Sequence, residues 1–379
     1  MIDAQNYLAI RPRDLVSVLI ATLGIAPVMI WSGPGVGKTE IIQAARIAIF
    51  RAVAKARGVH IPDDADIQLV ERRIGDYDIL DFGGLPYNDN GLQRRAVPDI
   101  WPGAKEYLAF VRDGGPLTKV YAILFLDEFP QGAREKQTVC QRLFDEGRNG
   151  DYVLPGHPKS DPNCERGLVL IVLAGNRQAD RANSYGIGSQ TGTRLINIQL
   201  RADVDDWLAW AAGVGLDPTV MAFIRQEPEY LHTLDPKAVT GPTPRTWARL
   251  AAVTATALSP EIEMAIYSGI VGEEAARAYL AMLHAARSIN IEEALSDPLN
   301  ADIPQEVGYQ FATASLLIRR TTSDNFANVV TYVERIGAGE FVSPEIAVFV
   351  VETIVRRSPV LAETITYRDF GLRWADIRS

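Results

Sequence analysis

Short, nearly continuous apolar runs alternate with longer stretches of helical spacing through the first half of the chain. Pro27 to Trp31, Ile67 to Arg72, Ala122 to Leu126, Leu168 to Leu173 and Leu195 to Leu200 read as strands. Several lack polar alternation, the pattern of strands covered on both faces. Between them, Asp14 to Leu23, Thr39 to Ala56, Gly103 to Arg112 and Arg134 to Asp145 fit helices. This order predicts a parallel α/β sheet flanked by helices. From Asp203 onward only helical spacing remains, as in DVDDWLAWAAGVG and EEAARAYLAMLHAARS. The expected organisation is an α/β domain over 1–202, a helical lid over 203–295 and a helical C-terminal extension over 296–379, with SDPLNADIPQE as the linker. Val329, Tyr332, Val333 and Ile336 share one helical face and are expected in the core.

The 379 residues are 47% hydrophobic and carry a net charge of -9. The hydrophobic fraction is enough for a sizeable core, and the acidity excludes a global positive field that would draw the chain to nucleic acid or anionic lipid. The opening MIDAQNYLAIRPRDL lacks the pattern of a secretory leader, and no run reaches the roughly 18 apolar residues that span a bilayer. A cytoplasmic protein without a membrane is expected. Cys140 and Cys164 cannot form a disulfide framework and are read as structural.

One segment changes the picture. VMIWSGPGVGKT, residues 28–39, joins an apolar strand to a glycine-rich loop that ends in Lys-Thr and opens a long helix. Such a loop lets consecutive N-H groups face phosphate oxygens at the positive end of a helix. Gly33, Pro34, Gly35, Val36, Gly37 and Glu40 are the expected nucleotide-binding residues around Lys38 and Thr39. Lys38 would reach the β- and γ-phosphates, and the Thr39 hydroxyl would ligate Mg2+. Ser32 stands where the pattern usually has glycine. ATP hydrolysis also needs a metal-ordering carboxylate and a base for water at a neighbouring strand end. AILFLDEF, residues 122–129, offers Asp127 for the magnesium shell and Glu128 for the water. A third strand ends in LAGNR, which places Asn176 where it can touch the γ-phosphate or the water.

These residues resemble the AAA+ ATPases, with SGPGVGKT as Walker A, ILFLDE as Walker B and Asn176 as sensor 1. Within that family the stretch YDILDFGGLPYNDNGLQRRAVPDIWP, residues 77–102, is similar to the MoxR-type ATPases, including those common in bacteriophage genomes. The resemblance covers about residues 10–260. It implies a P-loop sheet followed by a helical lid, ATP and Mg2+ as ligands, and a hydrolytic site shared within a homo-oligomeric ring, expected to be hexameric. Arg194 matches the arginine finger offered to the neighbouring subunit, with Arg177 and Arg181 as rivals, and Arg245 in TPRTW matches sensor 2. Pro244 and Thr243 also suit the first position and cap of a helix.

The resemblance further implies a chaperone-like remodeller acting on a protein client, such as one with a von Willebrand A domain, in a bacterial cell or encoded by a phage. Client-gripping aromatics would be Tyr87 in the Phe82 to Asn90 loop or Tyr152 in GRNGDYVLP, which reads as a hairpin turn. Arg94, Arg95 and Arg148 lie near these loops and keep a nucleic-acid motor or loader open as the alternative.

Overall fold

The computed structural model describes residues 7–113, 118–176, 186–235, 238–254, 258–338 and 344–375. The chain forms two compact units, Met1–Arg201 and Ala202–Ser379.

In the first unit, strands β1 (Ala9–Ile10), β2 (Val28–Ser32), β3 (Gln68–Arg73), β6 (Val120–Asp127), β9 (Gly167–Asn176) and β10 (Ile196–Leu200) form one sheet in the order β1-β10-β2-β9-β6-β3. Every pairing in it is parallel. The remaining strands are the hairpins β4 (Pro86–Asp89) with β5 (Leu92–Arg95), and β7 (Arg148–Asn149) with β8 (Tyr152–Val153). Helices α1 (Pro12–Thr22), α2 (Lys38–Ala56), α3 (Ile79–Gly83), α4 (Ala104–Asp113), α5 (Arg134–Glu146) and α6 (Ser189–Gly192) complete the unit.

The unbroken apolar runs do what their pattern requires. Met29, Trp31, Leu124, Leu126, Ile171 and Leu173 point to one face and join Ile74, Phe82, Trp101 and Leu143 in a single core. Their alternates Val28, Ile30, Ile123, Phe125 and Val172 are equally buried, which alternation assigns to the other face. Because all six strands run the same way, the C-terminal ends of β2, β6 and β9 lie at one sheet edge. The result is an α/β unit with a six-stranded parallel sheet and helices between its strands, followed in the chain by a region that is helical throughout its described residues.

The hairpin expected around Gly150 forms as β7 and β8. The stretch read as a loop over 82–90 instead contains all of β4, which turns into β5 at Asn90-Gly91 with both residues at positive φ, 51° and 83°. That is the tight turn favoured between antiparallel strands.

The second unit is helical throughout its described residues. It comprises α7 (Val204–Gly213), α8 (Pro218–Gln226), α9 (Pro244–Thr254), α10 (Pro260–Val271), α11 (Glu273–Ser288), α12 (Glu292–Ser296), α13 (Val307–Arg320), α14 (Phe326–Ala338), α15 (Pro344–Arg357) and α16 (Ile365–Arg373). The expected separate domain beginning at residue 296 is corrected here. One core runs from Trp207 to Phe370 and includes Phe223, Trp247, Tyr279, Phe311, Val333 and Val350. The segment read as a linker is pinned to it. Ala301 is buried, Arg335 Nη1 donates to the carbonyls of Pro298 and Ala301, and Tyr332 Oη donates to that of Asp302. Val329, Tyr332, Val333 and Ile336 are buried as their spacing predicts.

Among the described residues of this unit, one charged side chain is buried. Glu263 is fully buried, and Arg287 donates to both its oxygens at 3.0 and 2.5 Å. Those bonds hold its carboxyl below the usual carboxylate range. A depressed folded pKa stabilises above the unfolded pKa and is lost as pH falls through the folded value. Arg287→Met is therefore expected to lower stability at neutral pH by about 1.5–3 kcal/mol, with the loss shrinking towards acid pH as Glu263 protonates. Denaturant titrations across pH check this.

Candidate functional site

The loop between β2 and α2 is built on glycine geometry. Gly35 and Gly37 take φ of 75° and 95°, conformations an L side chain adopts only with strain, and Gly37 is the residue that enters α2. No side chain caps α2, and N-H groups at a helix start favour an anion. A phosphate chain fits this cradle.

Lys38 begins the helix and folds back over the loop. Its Nζ donates to Ser32 Oγ at 2.8 Å and to Asn176 Oδ1 at 3.2 Å, while the Ser32 hydroxyl donates to the Gly33 carbonyl at 2.8 Å. The serine that departs from the usual glycine thus supplies an anchor for the lysine. Both of these acceptors are neutral, and they orient the ammonium.

Strand register explains why Asn176 arrives there. β9 does not stop at Leu173 but continues to Asn176, which pairs directly with Ser32. Gly-Asn, an ordinary turn signal, is here strand. Gly175 is required by close approach. A Cβ at this position would lie 2.2 Å from Pro130 Cδ, so only glycine lets β9 pass the turn that follows Glu128.

Asp127 ends β6, the strand next to β9, and pairs in register with Arg73 at the end of β3. The Glu128 N-H donates to Asp127 Oδ1 at 2.9 Å, and Glu128 itself sits at φ 56°, ψ 27°. A left-handed backbone at a non-glycine residue costs free energy and is concentrated at functional sites. Its effect is to turn the chain sharply after Asp127, leaving Asp127 half-buried and Glu128 exposed. Phe129 and Pro130 are buried behind them and brace the turn.

Lys38, Thr39, Asp127, Glu128 and Asn176 therefore share one sheet edge. Thr39 and Asp127 are the expected magnesium ligands; an ion held there would take the rest of its shell from phosphate and water. Arg73 belongs to this edge and was not singled out from the sequence. Its only sequence signal is a basic residue closing a strand. Gln131 was also missed; its Oε1 is buried without a hydrogen-bond partner just beyond Glu128.

Arg194 lies elsewhere. It precedes β10, whose Ile196 pairs with Val28 at the start of β2, so it sits at the opposite sheet edge from Lys38. A five-residue strand separates those edges by about 16 Å. Arg194 donates through Nε to Asp145 and through Nη1 to the Gln190 carbonyl. The rival arginines, Arg177 and Arg181, lie outside the described residues. Arg245 belongs to the second unit, exposed on the first turn of α9, where Pro244 opens the helix and Thr243 Oγ1 accepts from the Thr246 N-H at 3.1 Å.

The two aromatic candidates separate cleanly. Tyr152 is corrected from a gripping residue to a core residue: it is fully buried, stacks on Trp101 and donates its hydroxyl to the Pro102 carbonyl at 2.7 Å. Tyr87 is 46% exposed on β4, across from Arg94. Arg94 pairs with Asp89 and approaches Asp151, so part of the local positive charge is already matched. Cys140 is buried, which pushes its thiol up to about 12 and leaves it inert.

No protein-family model and no curated protein matches the chain. Solved structures do. An Aeropyrum pernix ORC2 protein described as ADPNP-ADP complexes matches at TM-score 0.35 and 11% identity, covering 94% of this chain and 97% of that one. An Aeropyrum pernix ORC1 protein in complex with DNA matches at TM-score 0.33 and 13% identity, over 93% and 92%. A DNA replication initiation factor matches at TM-score 0.28 and 15% identity, over 93% and 96%. At such scores the account of the site rests on this chain's own residues.

Lys38→Ala is expected to weaken nucleotide binding about 10- to 100-fold, the loss of a charge-assisted contact. Equilibrium titration with a fluorescent ATP analogue measures it. Unchanged affinity would place the nucleotide elsewhere.

Proposed function

We propose that this chain binds and hydrolyses Mg-ATP as an AAA+ ATPase whose active site is completed by a neighbouring copy. The observation that carries the proposal is the single sheet edge at which Lys38, held by Ser32 and Asn176, meets the Asp127-Glu128 turn.

In this reading the α2 N-terminus and the backbone of Gly33 to Gly37 hold the phosphates, and Lys38 bridges the β- and γ-groups. Magnesium, held by Thr39 and through Asp127, supplies charge neutralisation at the transferring phosphoryl. Glu128 orients the attacking water and draws its proton away, and Asn176 fixes the γ-phosphate or that water. The distance between Arg194 and its own Lys38 supports a role in trans, where a guanidinium stabilises transition-state charge. Arg245 serves as the lid residue that reports nucleotide state.

The resemblance to MoxR-type ATPases supports a ring, expected to be hexameric, that remodels a protein client such as a von Willebrand A domain protein. The exposed β4-β5 hairpin with Tyr87 is the contact surface in that reading. A nucleic-acid-associated motor or loader is the second reading, favoured by the arginines Arg94, Arg95 and Arg148 on the two hairpins. Steady-state turnover with and without single- and double-stranded DNA separates the two, because a motor on nucleic acid is stimulated and a protein remodeller is not.

Glu128→Gln is expected to bind ATP and assemble while its kcat falls by about a hundredfold or more. Solution mass with and without Mg-ATP, measured beside turnover, checks both halves. Wild-type turnover in this variant would remove Glu128 from the chemistry.

A further inference from the structure

Helix α5 starts shortly after Glu128 and ends beside Arg194. Three of its side chains, Gln137, Gln141 and Asp145, are spaced four residues apart and so lie along one helix face, spanning about 12 Å. Each holds a different point of the segment 186–194. Gln137, nearly fully buried, donates from Nε2 to the Gly186 carbonyl at 3.0 Å and to the Gly132 carbonyl, in the turn after Glu128, at 2.9 Å. Gln141 Nε2 donates to Thr191 Oγ1 at 2.7 Å, and Thr191 is itself buried. Asp145 accepts from Arg194 Nε.

We propose that Asp145, supported along α5 by Gln141 and Gln137, is the positioning residue that aims Arg194 at the ATP of the neighbouring subunit. The proposal rests on the trans role of Arg194 given above.

The chemistry of the contact supports aiming over sequestration. The Arg194-Asp145 pair is about one-third exposed, 34% and 36%, and pairs of that exposure hold by at most about 1 kcal/mol. A polyphosphate therefore competes easily for the guanidinium. The contacts to Asp145 and Gln190 use Nε and Nη1, so Nη2 lies outside both and its donors remain for a phosphate oxygen. Gln137 also connects the two ends of the device. Its single amide group bonds the turn after Glu128 and the start of the segment that carries Arg194, so α5 joins a subunit's own hydrolytic turn to the arginine it offers outward.

The test compares Asp145→Ala, Asp145→Asn and Arg194→Ala in the full chain, at concentrations where the wild type is assembled with Mg-ATP. Asp145→Ala is expected to lower kcat roughly tenfold, the scale of a misaimed catalytic group, with ATP KM, solution mass and thermal midpoint unchanged. Asp145→Asn should recover much of the loss, because its amide oxygen still accepts from Nε. Mixing Asp145→Ala with Glu128→Gln subunits should give more turnover than the average of the two alone, since an Asp145→Ala site beside a Glu128→Gln subunit then receives a well-aimed arginine. Wild-type kcat for Asp145→Ala beside a strongly impaired Arg194→Ala would overturn the positioning role alone. A changed mass or midpoint for Asp145→Ala, or no gain on mixing, would overturn it in favour of a structural role. Normal turnover of Arg194→Ala would instead remove the trans reading and this proposal with it.

Discussion

The site depends on β9 pairing in parallel with β2 on one side and β6 on the other. That arrangement brings together three strand ends, Ser32, Asp127 and Asn176, that lie far apart in the chain. It sets Asn176 against Ser32 and so lets Lys38 bond to both. The approach is close enough that Gly175 must lack a side chain, because Pro130 occupies the space. Pro130 belongs to the turn whose left-handed residue is Glu128, so the same contact that admits β9 also braces Glu128. Sheet register, glycine spacing and catalytic geometry are here one constraint.

Much of this was legible in the sequence because the informative residues are local. A strand, a glycine-rich loop and Lys-Thr at a helix start lie within twelve consecutive residues, and Asp127-Glu128 closes an apolar run that can only be a buried strand. What was not legible depends on contacts distant in sequence. Asn176 is picked out by the sequence as a site residue, but its place inside the strand, opposite Ser32, appears only when β2 supplies its ladder partner. Arg73 acquires meaning only from its register with Asp127. The roles of Gln137, Gln141 and Asp145 follow from what a helix face meets, which spacing alone does not reveal.

The same distinction separates Tyr87 from Tyr152. Both lie in glycine-rich segments with turn signals, yet Trp101 and the Pro102 carbonyl bury one, while the other stays 46% exposed. In the helical unit, a proline- and aspartate-containing stretch reads as a linker, but Arg335 and Tyr332 satisfy its carbonyls and Ala301 joins the core. Polar composition marks a surface segment; it does not mark a domain boundary when side chains reach back to hold its backbone.

The central claim is that ATP is hydrolysed at a site no single subunit completes. Its most direct measurement is wild-type ATP turnover per subunit as a function of protein concentration, followed through the range in which solution mass changes. Turnover per subunit that rises with assembly and then levels off is the result this account predicts. Equal turnover per subunit from monomer to the highest concentration would contradict it.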